Sequence, residues 1–210
     1  GNVPYVSVID FLNLLEGFVD PEVDFTITYE DDSVEIFYQY YDEDDDTLYD
    51  LIVTIDAGTN TITTNDPGFY WAYVYSTETN YGRHINYDQD NTDSYSEDGE
   101  EVVFEIEKYN MDMAVYDDKI LLPYFLVNQL FAGSSYYNVY YNYDGLYGIY
   151  SLPSSGSVEY RTIKRSSLNN TDVPFDVLQA TFDMMAFNLD YFYGLQDIMS
   201  VDTYYDLLYA

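Results

Sequence analysis

The sequence predicts an α+β protein: an antiparallel, strand-rich domain over residues 1–157 with two short helices, a linker or hairpin over 158–170, and a helical segment over 171–210. Three observations predict it. Up to about Ser157, short β-branched and aromatic runs alternate with Gly, Asp, Asn and Pro, the punctuation of hairpins. Two Pro-Tyr segments each lead into a short amphipathic run closed by a glycine. Beyond Asp172 the apolar residues recur every three or four positions, which is the period of a helix.

The elements follow in order. Val3-Pro4-Tyr5-Val6-Ser7-Val8 leads into a helix from Ile9 to Leu15, stopped by Gly17. Strands are expected over 25–29 and 34–41, joined by the polar turn Glu30-Asp31-Asp32-Ser33. After the acidic turn Asp42-Glu43-Asp44-Asp45-Asp46 come strands over 48–55, 61–64, 69–75, 102–106 and 111–116. Leu122-Pro123-Tyr124-Phe125-Leu126-Val127 opens the second helix, Asn128-Gln129-Leu130-Phe131, stopped by Gly133; strands over 136–143 and 146–151 complete the set. Both Pro-Tyr segments read apolar, Pro, Tyr, apolar, any residue, Val, a weak internal repeat of strand-like lead-in, helix and hairpin.

Residues 151–171 are Ser-, Asn- and Gly-rich around the basic island Arg161-Thr162-Ile163-Lys164-Arg165. Asp172 can then cap a helix and Pro174 suits its first turn. Phe175, Leu178, Phe182, Met185, Leu189 and Phe192 form an apolar stripe expected to pack on the core. A second short helix is expected near Asp202-Thr203, carrying Tyr204, Leu207 and Leu208. The chain opens Gly1-Asn2-Val3 without Met and stops at Ala210 inside an apolar pattern, so a piece processed or cut from a longer protein is expected.

Charge bounds the partners. The 210 residues hold 39 Asp and Glu against 6 Lys and Arg, a formal net charge of −33, with 28 Tyr and no Cys. A chain that is 47% hydrophobic and 20% aromatic can build a core, unlike a disordered acidic tail. Nucleic acid and anionic membrane surfaces are disfavoured, because each phosphate contact needs a cation; a DNA-mimicking decoy is the one nucleic-acid-related reading that charge allows. Without Cys there are no disulfides, no thiolate catalysis and no Cys-ligated zinc. No apolar stretch approaches the roughly 20 residues that span a bilayer, so the chain is not expected to be membrane-inserted. Acid-rich, Cys-free and Tyr/Asn/Thr-rich composition points to an extracellular, cell-surface setting, with halophilic adaptation as the competing reading.

No catalytic set is recognisable. His84, in Tyr81-Gly82-Arg83-His84-Ile85, has no partner motif and reads as a loop or surface histidine. Asn86, Asp88, Asp90 and Glu97 occupy positions one, three, five and twelve of a calcium-type loop, but Asn91 stands where Gly makes the turn. Hard-cation binding, by calcium, there or at 42–46 stands beside the plainer reading of solvated acidic loops; no cofactor is expected and no metal site is assigned. The aromatics weigh more. Alternation places Phe69, Trp71, Tyr73 and Tyr75 on one strand face, and Tyr136, Tyr137, Tyr140, Tyr141, Tyr143 and Tyr147 form a second ladder. Trp71, Tyr73, Tyr75, Tyr140 and Tyr143 are therefore the candidate binding residues, for a glycan by stacking or for a peptide by clamping. The plainer account of the same rings is β-propensity and half-buried packing. The basic island reads as an internal counter-ion for the acidic body, or as a docking point for something anionic.

Phe187-Asn188-Leu189-Asp190-Tyr191-Phe192-Tyr193-Gly194-Leu195, followed by Val201-Asp202-Thr203-Tyr204-Tyr205-Asp206-Leu207-Leu208, resembles a segment of the secreted Gram-positive tail-specific (C-terminal processing) serine peptidases. There, a helical stretch with Leu-Asp-x-x-Tyr-Gly-Leu precedes the catalytic region. The Pro-Tyr repeats, with their intervening strands, resemble the copper amine oxidase N-terminal-like modules of cell-surface proteins. The first likeness covers about 35 residues and the second is a loose pattern over the first 150. No catalytic Ser or Lys and no copper ligand set of those families maps onto this chain, since one His cannot supply a copper site. The resemblance implies the non-catalytic N-terminal region of a peptidase-like lipoprotein, presenting or gating substrate for a downstream peptidase domain of the same polypeptide. A stand-alone carbohydrate or cell-wall binding module is the alternative.

Overall fold

The computed structural model describes residues 1–15, 17–43, 46–75, 101–133, 137–149, 153–167, 169, 171–193 and 199–209. The architecture is α+β with antiparallel sheets and a helical C-terminal segment. The largest sheet is a meander of five strands in sequential order: β2 (Thr26–Glu30), β3 (Ser33–Asp42), β4 (Thr47–Asp56), β5 (Thr61–Thr64) and β6 (Val102–Glu105). Its register sets the core. Val34, Ile36 and Tyr38 pair with Ile55, Val53 and Leu51, and Ile55 pairs in turn with Ile62, then Ile62 with Phe104. Period-two alternation puts these residues on one face, where all are buried, and leaves Glu35 and Gln39 on the other.

Against that face packs a helical layer. β1 (Tyr5–Val6) leads through Ser7, whose hydroxyl accepts from the Asp10 N–H, into α1 (Val8–Leu14). Two residues past that helix's C-cap, Leu15, Gly17 takes φ +73°, the left-handed turn expected after it. The second Pro-Tyr segment lies at the end of β8 (Lys119–Pro123), which pairs with β7 (Ala114–Tyr116) on one side and with β1 on the other. Tyr5 faces Pro123 and Val6 faces Leu122, so the two repeat-like segments pair with each other. Their register differs: Tyr5 is in a strand, whereas Tyr124 already opens α3 (Tyr124–Ala132), four residues earlier than the sequence pattern places it. α3 buries Leu126, Val127, Leu130 and Phe131 at the centre of the molecule, and Gly133 ends it with an ordinary right-handed φ.

Two expectations need correction. Residues 69–75 do not form a strand: α2 (Phe69–Ala72) is a single helical turn, and only Val74 is extended, bridging Val19. Asp66-Pro67-Gly68 decides this, because the Asp66 carboxylate accepts from the Gly68 N–H and its carbonyl from the Phe69 N–H, starting a helix. The linker region also contains a helix, α4 (Val158–Lys164), capped by Ser157. It is fastened to the hairpin of β9 (Asn138–Tyr141) and β10 (Leu146–Ile149) by buried Asn142, whose Nδ2 donates to the Thr162, Ile163 and Arg165 carbonyls.

The C-terminal segment is α5 (Phe175–Phe192) followed by α6 (Tyr204–Tyr209). The stripe expected to pack is not the buried one. Phe175, Leu178, Met185 and Phe192 are exposed, and Met184, Ala186 and Phe187 meet the core, with Phe187 5.7 Å from Phe104 and 5.3 Å from Tyr109 between ring centroids. α5 is apolar on more than one side, so helical period alone does not say which side is sealed.

Candidate binding groove

An apolar groove of about 790 Å³ runs between α5, the start of α3, the end of β9 and residues 2–4. Each wall has a local cause. Residues 2–4 are held against α5 because the Asn2 backbone N–H and Nδ2 both donate to the Asp176 carboxylate, at 2.6 to 3.1 Å. Those bonds hold the Asp176 carboxyl below its ordinary pKa. The Tyr124 N–H donates to the Pro4 carbonyl at 3.0 Å, which brings Tyr124 and Phe125 beside the same segment. Tyr124 is 5.7 Å from Tyr141, and Tyr141 is 5.1 Å from Tyr143. α5 closes the groove with Thr181, Met184, Asn188 and Phe192, spaced three and four apart along one side of the helix. Met185 and Leu189 line it as well, so half of the stripe read as core packing is groove wall.

Two polar atoms in this apolar lining are buried with no hydrogen-bond partner: Asn188 Oδ1 and the Tyr143 hydroxyl. A buried polar atom left unpaired costs about 1–3 kcal/mol, and these two belong to residues that line the groove. Asn188 Oδ1 accepts; the phenol can donate or accept. Burial, with Tyr141 and Asp176 nearby, raises the Tyr143 pKa and keeps the phenol protonated. Tyr143 has φ +70°, an uncommon conformation for an aromatic residue.

The candidate residues from sequence are dispersed. Trp71 is 46% exposed and packs edge-on against Tyr40 at 5.7 Å. Tyr73 is fully buried, with its hydroxyl donating to the Phe131 carbonyl, so it belongs to the core and not to a binding face. Tyr75 is exposed, and its N–H donates to Phe18. The helical turn of α2 is the physical reason that Trp71 and Tyr73 diverge. Tyr140 lies opposite Tyr147 on the β9–β10 hairpin and is partly buried. Of the five, Tyr143 alone lines the groove. Sequence reasoning missed Asn188 and Met184; an Asn within an apolar helical run was the available signal. His84, residues 86–97 and Tyr136 lie outside the described residues, as does part of the acidic turn 42–46. Among the described residues no group of three or more acidic or His side chains is placed to hold a metal ion. No helix among them is long and apolar enough to cross a membrane.

Among the described residues, contact ion pairs form at Lys108–Glu105 and Lys119–Asp10, and none involves Arg161, Lys164 or Arg165. Lys164 instead sits over the Tyr160 ring at 5.1 Å. The motif around Asp190 has a structural role. Its carboxylate accepts from the Tyr204 and Tyr205 N–H groups at 2.6 and 3.3 Å, capping α6 from another helix, and from the Tyr109 hydroxyl at 3.1 Å.

In comparisons with known proteins, no family model, curated protein or solved structure matches this chain.

Proposed function

We propose that this chain is a non-catalytic binding module whose groove on α5 holds an apolar ligand, a peptide side chain or a comparable hydrocarbon group. The observation that carries this reading is the pair of unpaired buried atoms, Asn188 Oδ1 and Tyr143 Oη, within an apolar groove of about 790 Å³. That size and that mix, mostly hydrocarbon with a few fixed polar atoms, suit a ligand site. Dispersal of Trp71, Tyr73 and Tyr75 leaves less support for a flat stacking platform of the kind a glycan module uses. The wider setting is part of the proposal: an extracellular, surface-anchored region attached to a peptidase domain, supported by composition and by the segment around Asp190.

Nile red, an uncharged dye, tests the groove. Saturable one-to-one fluorescence enhancement is expected, and Thr181→Trp, which places an indole in the groove from an exposed helical position, should abolish it. Enhancement that survives this substitution, or none in the parent chain, removes the reading. A Ser/Lys peptidase region encoded downstream in the same reading frame tests the setting; its absence removes that part alone.

A further inference from the structure

A second hollow of about 520 Å³ adjoins the groove, and Val3, Phe125 and Ala180 line both. Ala180 lies on α5 between the two and has nothing beyond its Cβ, so the helix surface there forms a low saddle. The far wall of this hollow holds Asp183, which is 2% exposed. Three donors converge on its Oδ1: Gln179 Nε2 at 2.9 Å, Asn110 Nδ2 at 3.5 Å, and the Tyr209 hydroxyl. Among the described residues nothing donates to Oδ2, and no Lys or Arg forms an ion pair with this carboxylate. Neutral donors meet one oxygen of this carboxylate and leave the other open to a donor. Fastening Tyr209 does not require the charge, because an Asn at position 183 would accept the same hydroxyl proton. What the charge adds is attraction for a cation, in a chain whose net charge of −33 already favours cationic partners.

We infer that the Asp183 hollow receives a primary ammonium group joined to the apolar part that the groove holds, which makes the ligand a cationic amphiphile. The inference rests on the groove being a ligand site. An ammonium fits because it donates three hydrogen bonds and can take Oδ2 while its hydrocarbon stem crosses the saddle at Ala180.

Calorimetry of the 210-residue chain with n-octylammonium, n-octanol and n-octanoate, at neutral pH and about 150 mM salt, separates the possibilities. The expected order is n-octylammonium tightest by about tenfold or more over n-octanol, the value of a charge-assisted hydrogen bond, with n-octanoate weakest. Asp183→Asn should remove that preference and leave n-octanol affinity unchanged; Asp32→Asn, in the turn between β2 and β3, should leave the preference intact. Ala180→Leu, which raises the saddle and keeps the Asp183 carboxylate, should also remove the margin of n-octylammonium over n-octanol measured within that variant, and keeps the test decisive where Asp183→Asn does not fold. Equal affinities for the amine and the alcohol overturn the cationic inference while the groove reading stands. A preference lost equally on Asp32→Asn assigns it to the general field and overturns the inference too. No binding of any of the three overturns the groove reading and this inference together.

Discussion

Tyrosines against the five-stranded sheet and tyrosines around the groove use the same side chain in opposite ways. Tyr38 and Tyr73 are buried with their hydroxyls committed, Tyr38 to the Phe69 carbonyl at 2.6 Å and Tyr73 to the Phe131 carbonyl. Their rings sit edge-on among Phe18, Phe25 and Phe69 at centroid distances of 5.1 to 6.1 Å. Each hydroxyl there ties α2 to a neighbouring layer. Tyr143 is as close to its aromatic neighbour, yet its hydroxyl is buried and unpaired. Tyr38 and Tyr73 use their hydroxyls to hold the fold, whereas that of Tyr143 is withheld from it. Such a deficit is tolerated where something outside the fold can satisfy it, which is the ground for the proposal of a binding groove.

The largest effect that would break this comparison is expected at Tyr73. Tyr73→Ala empties a fully buried aromatic site and should cost about 3–5 kcal/mol in urea denaturation. A cost below about 1 kcal/mol would mean that the aromatic layer is not the core described here. Next comes pH. Burial raises the pKa of Tyr38, Tyr70 and Tyr73 above the ordinary tyrosine value. A folded-state pKa above the unfolded one gives stability that is complete below about pH 10 and is lost as pH rises from there, at about 1.4 kcal/mol per pH unit for each such tyrosine. Tyrosinate absorbance should therefore appear in two steps, exposed rings first and the buried set together with loss of the near-ultraviolet dichroism. A single early step, with the dichroism retained, contradicts the burial.

Smaller effects sharpen the comparison. Gly148 pairs with Val139 across the hairpin, and a Cβ there would run into the hydroxyl end of Tyr137. Gly148→Ala should cost about 1–3 kcal/mol by overpacking, read as a lowered urea midpoint at constant slope. The closest comparison removes one oxygen from each region. Tyr73→Phe should destabilise by about 1–3 kcal/mol, because it leaves the Phe131 carbonyl without its donor. Tyr143→Phe should change stability by less than about 0.5 kcal/mol, or raise it, because that hydroxyl has no partner to lose. Equal losses at the two positions would dissolve the distinction between core and groove.

Much of the fold was legible because its rules are local. Val34-Glu35-Ile36-Phe37-Tyr38 alternates, and the acidic turns on either side of β3 leave the neighbouring strands little choice of register. Tyr204 begins a helix where Asp202-Thr203 said it would, and the Thr203 hydroxyl accepts from the Asp206 N–H. Phe69 to Tyr75 shows where local reading stops. The run suits either period, and the choice lay with Asp66-Pro67-Gly68 before it. The groove was harder still. Tyr143 was among the candidates, but Asn188 and Asp183 are 45 and 40 positions away in sequence, and no spacing rule relates them.

By itself the sequence determined the class of the molecule and its charge: α+β and strongly acidic, with far more aromatic residues than bases. Composition and period are enough for that, since they act through additive charge and through each element's own backbone. Only the tertiary structure decided which apolar side of α5 is sealed and which is left open, and therefore which tyrosine and asparagine side chains line the groove. The reason is that burial belongs to neighbours. Met184 and Met185 are adjacent, equally apolar and both part of the groove wall, yet Met184 is buried and Met185 stands 43% exposed, because Phe187 and Ala186 turn the Met184 side of the helix into the core.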